Sequence, residues 1–150
     1  MKTVIVVPPY NERENIREII ERILALGQKD LHILIVDDNS PDETAEIVRS
    51  LMKKRKKVHL LFRPNGKGRG SACMDGYKKA VEMGADYIGE MDADLSHHPE
   101  EFYRLQNAIK DADMVLGSRL VEGGKDEDRA HFRRLLTKVA CWYTRKVLNI

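Results

Sequence analysis

Residues 3–24 read TVIVVPPYNERENIREIIERIL, and the change of period inside this stretch decides the fold. Thr3 to Val7 form a short, nearly continuous apolar run, the pattern of a strand buried on both faces. From residue 16 the period changes: Ile16, Ile19, Ile20, Ile23 and Leu24 recur at helical spacing and share one face. Between the two lies PPYNE, a polar loop. Strand, loop and helix in that order make the first part of a βα unit, and the unit calls for a parallel strand to follow.

The same order repeats outward along the chain. LHILIVD (31–37) reads as a second strand. Ser40, Pro41 and Glu43 then form a capping-box pattern with proline at the first helical position, predicting a helix through Ile47, Val48 and Leu51. VHLLF (58–62) is a third strand, PNGKGRGSA a glycine-rich loop, and ACMDGYKKAVEM (72–83) a third helix that tolerates Gly76. YIGEM (87–91) gives a fourth strand, and Pro99 starts a helix with Phe102, Leu105 and Ile109 on one side. DMVLGS (113–118) reads as a fifth strand. RAHFRRLLTKVACWYTRKVL (129–148) is a long terminal helix whose apolar positions include Phe132, Leu135, Leu136, Val139 and Tyr143. The class is α/β, a mostly parallel sheet with helices on both faces, in one domain spanning 1–150. Ligands of such sheets bind beyond the carboxyl ends of the strands. There the sequence places PPYNE, DDNSPD, DADLSHH and GSR, which should therefore share one edge.

Composition narrows the function classes. The chain has 150 residues, 42% of them apolar, enough for one core. Its 26 basic and 24 acidic residues leave a formal charge of +2, which implies no general affinity for polyanions and no nucleic-acid partner. Cys73 and Cys141 lie far apart, outside any metal-ligand or CxxC spacing, and read as small core residues of a protein in a reducing, cytoplasmic compartment. Pro8 and Pro9 interrupt the N-terminal apolar run before it could serve as a signal peptide. No stretch approaches the roughly 20 apolar residues of a membrane span.

MDADLSHHPEEF (91–102) carries the chemistry. Asp92 and Asp94, two residues apart, point the same way if the backbone is extended, so both can reach one cation. Carboxylate oxygens suit Mg²⁺ or Mn²⁺, and a site with one or two protein carboxylates completes its shell with water and a ligand's phosphates. A diphosphate leaving group fits, its developing charge taken up by the metal. The alternative is a pair of solvated loop carboxylates, one capping the helix at Pro99. His97 and His98 read as loop or cap residues close to such a site.

Five motifs, VVPPYNERENI, ILIVDDNSPDETAEI, NGKGRGSACMDGYKKA, GEMDADLSHHPEEF and DMVLGSRLVEGG, occur in the order and strand-end context of the family 2 nucleotide-sugar glycosyltransferases. The chain resembles that family over essentially its whole length, most of all the dolichyl-phosphate mannose synthases and related polyprenyl-phosphate sugar transferases. The resemblance implies a Rossmann-like GT-A fold. It also implies an inverting, metal-dependent transfer of a sugar, with mannose from GDP-mannose favoured, to a polyprenyl or dolichyl phosphate. It assigns Pro8, Tyr10 and Glu12 to the nucleoside, Tyr10 at the base and Glu12 at the ribose, and Val36 and Asp38 to the base. Asp92, Ala93 and Asp94 border the ribose and diphosphate, with Asp92 and Asp94 at the metal and Asp94 the more direct ligand. Arg119 faces the phosphates. Asp94 and Arg119 are the catalytic candidates. These roles suit the side chains: an aromatic ring packs against a base, carboxylates accept from hydroxyl or N–H groups, and a guanidinium matches phosphate. A lipid phosphate is already anionic, so its transfer needs no protein base, whereas a sugar hydroxyl would need one.

The sequence also departs from the family pattern. Pro9 stands where threonine is usual, Arg69 and Cys73 where leucine and tyrosine are common, and Leu120 where tyrosine often follows GSR. The family's D-x-T-S-G-F-R region is missing before Ile150, so the acceptor side is expected to be incomplete. Arg129, Arg133, Arg134, Lys138, Arg145 and Lys146 on the terminal helix suit an anionic membrane surface, the alternative being a core-packing helix with a solvated basic face. Two other functions compete: a catalytically silent nucleotide-sugar-binding module, and a receiver-like signalling domain suggested by ILIVDDNS. The register opposes the second, since a full strand and helix precede the acidic pair. A dinucleotide oxidoreductase lacks its GxGxxG after the first strand.

Overall fold

The computed structural model describes residues 1–66, 68–118, 121 and 131–148. The chain divides into two compact units, Met1–Gln106 and Asn107–Ile150.

The first unit alternates strands and helices: β1 (Thr3–Val7), α1 (Ile16–Ala25), β2 (Leu31–Asp37), α2 (Thr44–Met52), β3 (Val58–Phe62), α3 (Arg69–Glu82) and β4 (Tyr87–Glu90). A 3₁₀ turn, Pro99–Glu101, leads into α4 (Phe102–Ala108). The four strands form one parallel sheet in the order β3-β2-β1-β4. Both faces are covered at β1 and β2, which is why these two read as nearly unbroken apolar runs instead of alternating ones, while β3 and β4 at the edges are partly buried. On one face Ile5, Val7, Ile33 and Ile35 pack with Ile16, Ile19, Ile20 and Ile23 of α1 and Val48 and Leu51 of α2. On the other, Val4, Val6, Leu34 and Val36 pack with Ala72 and Ala80 of α3. Each large aliphatic side chain so buried contributes roughly 1.5–3 kcal/mol.

Close approach on the second face needs Gly76. A Cβ built there would lie 2.5 Å from Val6 Cγ1 and 3.0 Å from Val36 Cγ2, so α3 sits on the sheet only because this position is bare. Sequence reading took Gly76 as merely tolerated.

The order of strands fixes where a ligand can bind. From β1 the chain builds outward through β2 to β3, then crosses to the opposite side of β1 to add β4. The direction of building reverses between β1 and β4, and a reversal of this kind opens a crevice at the strands' carboxyl ends. Met91 N–H donates to Val6 O at 3.1 Å, holding the two strands together as the chain enters Asp92–Asp94. The far end of that loop is anchored by Phe102, buried in the α1 face, and by the Arg22–Glu100 ion pair at 3.0 Å.

Three local expectations are corrected. The helix after β2 starts at Thr44, not at Pro41. Asp42 Oδ1 accepts from Thr44 N and Oγ1 at 3.0 and 2.6 Å, doing the capping expected of Ser40, while Glu43 takes a left-handed φ of 65°. The helix after the glycine-rich loop begins three residues early, at Arg69. Residues 113–118 form no strand: the described sheet has four, and Met114 and Leu116 are exposed. An apolar run becomes a strand only when a neighbour completes its hydrogen bonds, and the run itself carries no information about that neighbour.

In the second unit the described elements are a 3₁₀ turn, Ile109–Asp111, and α5 (His131–Leu148). Along α5, Phe132, Leu136, Val139, Trp142, Tyr143, Val147 and Leu148 are exposed. No described helix is long and apolar enough to cross a membrane.

Candidate functional site at the switch point

An open pocket of about 660 Å³ lies at the carboxyl ends of the strands. Pro8, Pro9, Tyr10 and Glu12 line it from the loop after β1, Asp38 from the end of β2, and Asp92, Ala93 and Asp94 from the loop after β4. Gly66, Gly68, Arg69 and Ala72 close it from the β3–α3 side. The structure thus brings together seven of the site residues expected from sequence. Val36 is not among them: it is fully buried against α3, and the strand end opens on the pocket only two residues later, at Asp38. Arg119 lies outside the described residues.

The β1 loop is held by side chains from the β2 loop. Asn11 N–H donates to Ser40 Oγ at 3.2 Å, Glu12 N–H to Thr44 Oγ1 at 3.1 Å, and Arg13 N–H to Asp42 Oδ2 at 2.8 Å. Three successive backbone donors are satisfied in this way, which fixes the loop without sheet pairing. Burial pushes the Asp42 carboxyl up, but the hydrogen bonds from Thr44 and Arg13 outweigh it and hold the group below the ordinary carboxylate range. Tyr10 stands 62% exposed at the mouth, available to a planar ligand. Glu12 Oε2 accepts from Asn15 Nδ2 at 2.8 Å, leaving its other oxygen for a ligand's donor.

Asp38 is tied into the wall. Its Oδ2 accepts from Gly68 N at 3.1 Å, and its Oδ1 lies 3.3 Å from Arg63 Nη1. That contact lacks hydrogen-bond direction, so the attraction is one of charge. Arg63 also reaches Ser71 Oγ at 2.6 Å and Asp75 Oδ2 at 3.3 Å, joining β3, its loop and α3 around Asp38. Gly66 lies so close that a Cβ would fall 2.1 Å from Asp38 Cγ. Its neighbour Asp37 turns to the other face, fully buried, with Oδ1 accepting from Ser40 N at 2.9 Å.

The two aspartates after β4 differ. Asp94 Oδ1 accepts from Ser96 N at 2.9 Å, and the hydrogen bonds from the Ser96 side chain and backbone hold Asp94 below the usual carboxylate range. It is an ionised group beside an open pocket. Asp92 Oδ1 is paired with Arg69 Nη2 at 2.5 Å, and His97 Nε2 lies 3.8 Å from its Oδ2. Asp92 N–H donates to His97 Nδ1 at 3.2 Å, which makes that nitrogen the acceptor and places the proton of neutral His97 on Nε2. Arg69 reaches Glu90 Oε1 at 2.8 Å as well, and Glu90 Oε2 accepts from the Tyr77 hydroxyl. Sequence reading missed Arg63, Arg69, Tyr77 and Glu90. Only Arg69 carried a signal, as a departure from the family pattern; the others are assembled by the fold.

A parallel sheet whose switch-point crevice carries an exposed ring and several carboxylates defines an open α/β domain with its binding site between β1 and β4. The model of glycosyl transferase family 2 matches residues 4–149, and the chain belongs to that family. It is 38% identical over 151 residues to a polyprenol monophosphomannose synthase of Mycolicibacterium smegmatis, covering 99% of this chain and 57% of that protein. It is 42% identical over 142 residues to a dolichol-phosphate mannosyltransferase of Pyrococcus furiosus, covering 93% and 39%. The chain thus spans about half the length of such relatives. Among solved structures, mannosyltransferase PcManGT of Pyrobaculum calidifontis, in complex with GDP-Man and Mn²⁺, aligns with a TM-score of 0.59 at 22% identity, over 73% of this chain and 32% of that one. TarS of S. aureus aligns at 0.60 and 21%, over 81% and 40%. These likenesses establish the GT-A fold. Family membership sets aside the receiver-like alternative.

Proposed function

We propose that this chain binds the donor of a metal-dependent, inverting mannosyl transfer from GDP-mannose to a polyprenyl or dolichyl phosphate. The observation that carries the reading is the meeting of Tyr10, Glu12, Asp38, Asp92 and Asp94 in one pocket at the switch point. The names of its relatives supply the acceptor class and mannose, and the ligands of PcManGT supply GDP and Mn²⁺.

In this reading the Tyr10 ring packs on the base, Glu12 accepts from ribose hydroxyls, and Asp38, fixed by Arg63 and Gly68, accepts at the base edge. The donor set fits a hard divalent cation: two carboxylates rim the pocket, one of them held ionised. Among the described residues no group of three or more His, Cys, Asp or Glu side chains could hold a metal. Asp94, with Asp92, would be the protein's share of the shell, with water and the diphosphate supplying the rest. When bound, Mg²⁺ or Mn²⁺ offsets the charge of the departing diphosphate. The family resemblance assigns a second cation for the phosphates to Arg119, which lies outside the described residues. The acceptor's phosphate oxygen attacks the anomeric carbon opposite the diphosphate, the C–O bond to the diphosphate breaks, and the configuration inverts in one displacement. No protein group has to remove a proton from such an acceptor.

The acceptor is a membrane lipid, and α5 suits contact with the cytoplasmic face: exposed Val139, Trp142, Tyr143 and Val147 share the helix with Lys138, Arg145 and Lys146.

The test is transfer itself. Purified chain with labelled GDP-mannose, Mn²⁺ and a short polyprenyl phosphate should yield mannosyl-phosphoprenol, and Asp94→Asn should lower the rate at least about tenfold. Full activity in Asp94→Asn would overturn the role given to that carboxylate. Donor binding without transfer would favour the silent binding module instead.

A further inference from the structure

Arg69 is the one described cation that lines the pocket, and it points at the wrong partner for a phosphate ligand. Its Nη2 lies 2.5 Å from Asp92 Oδ1 and 2.8 Å from Glu90 Oε1, so one guanidinium bridges two carboxylates on the β4 side. Burial works against its charge, but the hydrogen bond to Asp92 and the negative charges of Asp92 and Glu90 more than offset this and raise its pKa. The other Asp92 oxygen faces His97. Both oxygens of a carboxylate expected to bind a cation are thus already faced by nitrogen donors. A Mg²⁺ or Mn²⁺ ligand oxygen sits roughly 2.0–2.1 Å from the ion. A guanidinium hydrogen-bonded to that same oxygen competes with the ion for its lone pairs and opposes it by charge. Glu90 offers Arg69 a second seat, because it is positioned independently by the Tyr77 hydroxyl on α3.

We propose that Arg69 is a resident counter-ion of Asp92 that a divalent cation must displace, and that Glu90 retains the guanidinium afterwards. Asp94 then takes the cation first, and Asp92 joins only as Arg69 lets go. Arg69 is a positioning residue: it sets how readily Asp92 becomes a ligand. The inference rests on the cation assigned above to Asp92 and Asp94, and the experiment separates the two.

Mn²⁺ alone is titrated into the full chain, free Mn²⁺ being read from its electron paramagnetic resonance signal, for wild type, Arg69→Met, Arg69→Gln, Asp92→Asn and Arg69→Met/Asp92→Asn. Either Arg69 variant should bind Mn²⁺ roughly fivefold more tightly, the scale of a partly exposed ion pair removed from competition. In the Asp92→Asn background the gain should vanish, because displacement acts through that carboxylate. Equal Mn²⁺ affinity in wild type and both Arg69 variants overturns the counter-ion while leaving the cation site standing. A gain that persists in Asp92→Asn also overturns it, since loss of any nearby positive charge would do the same. No Mn²⁺ binding in any of the five proteins overturns both the counter-ion and the cation.

Discussion

Asp42 shows how much a single side chain can do in a loop. It caps α2 through Thr44 and holds the β1 loop through Arg13 N–H, so one carboxylate links the helix start to the pocket's Tyr10–Glu12 segment. Asp42→Asn keeps the shape and weakens these bonds, and we expect a loss of about 1 kcal/mol at neutral pH, measured by urea unfolding. The pH dependence follows from the direction of the shift. Its folded pKa lies below the ordinary 3.8, so its stabilisation is complete above that value and disappears as pH falls through the lower folded value. The gap between wild type and variant should therefore close in acid below pH 3.8; a gap constant down to pH 2 would contradict this role. In the sequence, Asp42 was hidden by its neighbours. Ser40, Pro41 and Glu43 match a capping box, and composition cannot show that the Ser40 hydroxyl is already taken by Asn11 N–H from another loop while its backbone N–H donates to Asp37. Arg69 was visible as an unusual residue, yet its partners Glu90 and Asp92 lie more than twenty positions away and meet it only through the fold.

Elements were read more reliably than residues. The five positions expected on one face of α1 fall there, four of them fully buried, because a surface helix over a sheet keeps its 3.6-residue period whatever else surrounds it. The two central strands, β1 and β2, were legible for a related reason: burial on both faces leaves a nearly continuous apolar run. DMVLGS carries the same pattern without a ladder, since pairing is a property of two segments and the run describes one. Gly76 is the opposite case, a residue whose role appears only when α3 meets β1 and β2. Alanine there would gain about 1 kcal/mol of helix propensity but would force Val6 or the helix axis aside, at a cost of about 1–3 kcal/mol. We expect Gly76→Ala to be net destabilising by thermal or urea unfolding. A variant more stable than wild type would mean that α3 is packed less closely than described.

At the scale of the molecule, the sheet order explains why motifs spread from Pro8 to Asp94 form one site. Building outward from β1 to β3 and returning to β4 puts the PPYNE and DADLSHH loops side by side, with Asp38 and the β3–α3 loop as the third wall. For PPYNE, DDNSPD and DADLSHH the shared edge was legible from the βα rhythm; the order of strands along it was not, because apolar runs do not specify which strand each one joins. The central claim is that this crevice holds a nucleoside diphosphate and a divalent cation together, with Asp94 as the protein's link between them. Calorimetric titration of GDP into the chain, with Mn²⁺ and then with a chelator, for wild type and Asp94→Asn, tests it most directly. Mn²⁺ should strengthen GDP binding at least about tenfold in wild type and have little effect in Asp94→Asn. Equal GDP affinity with and without Mn²⁺ in wild type would contradict the claim.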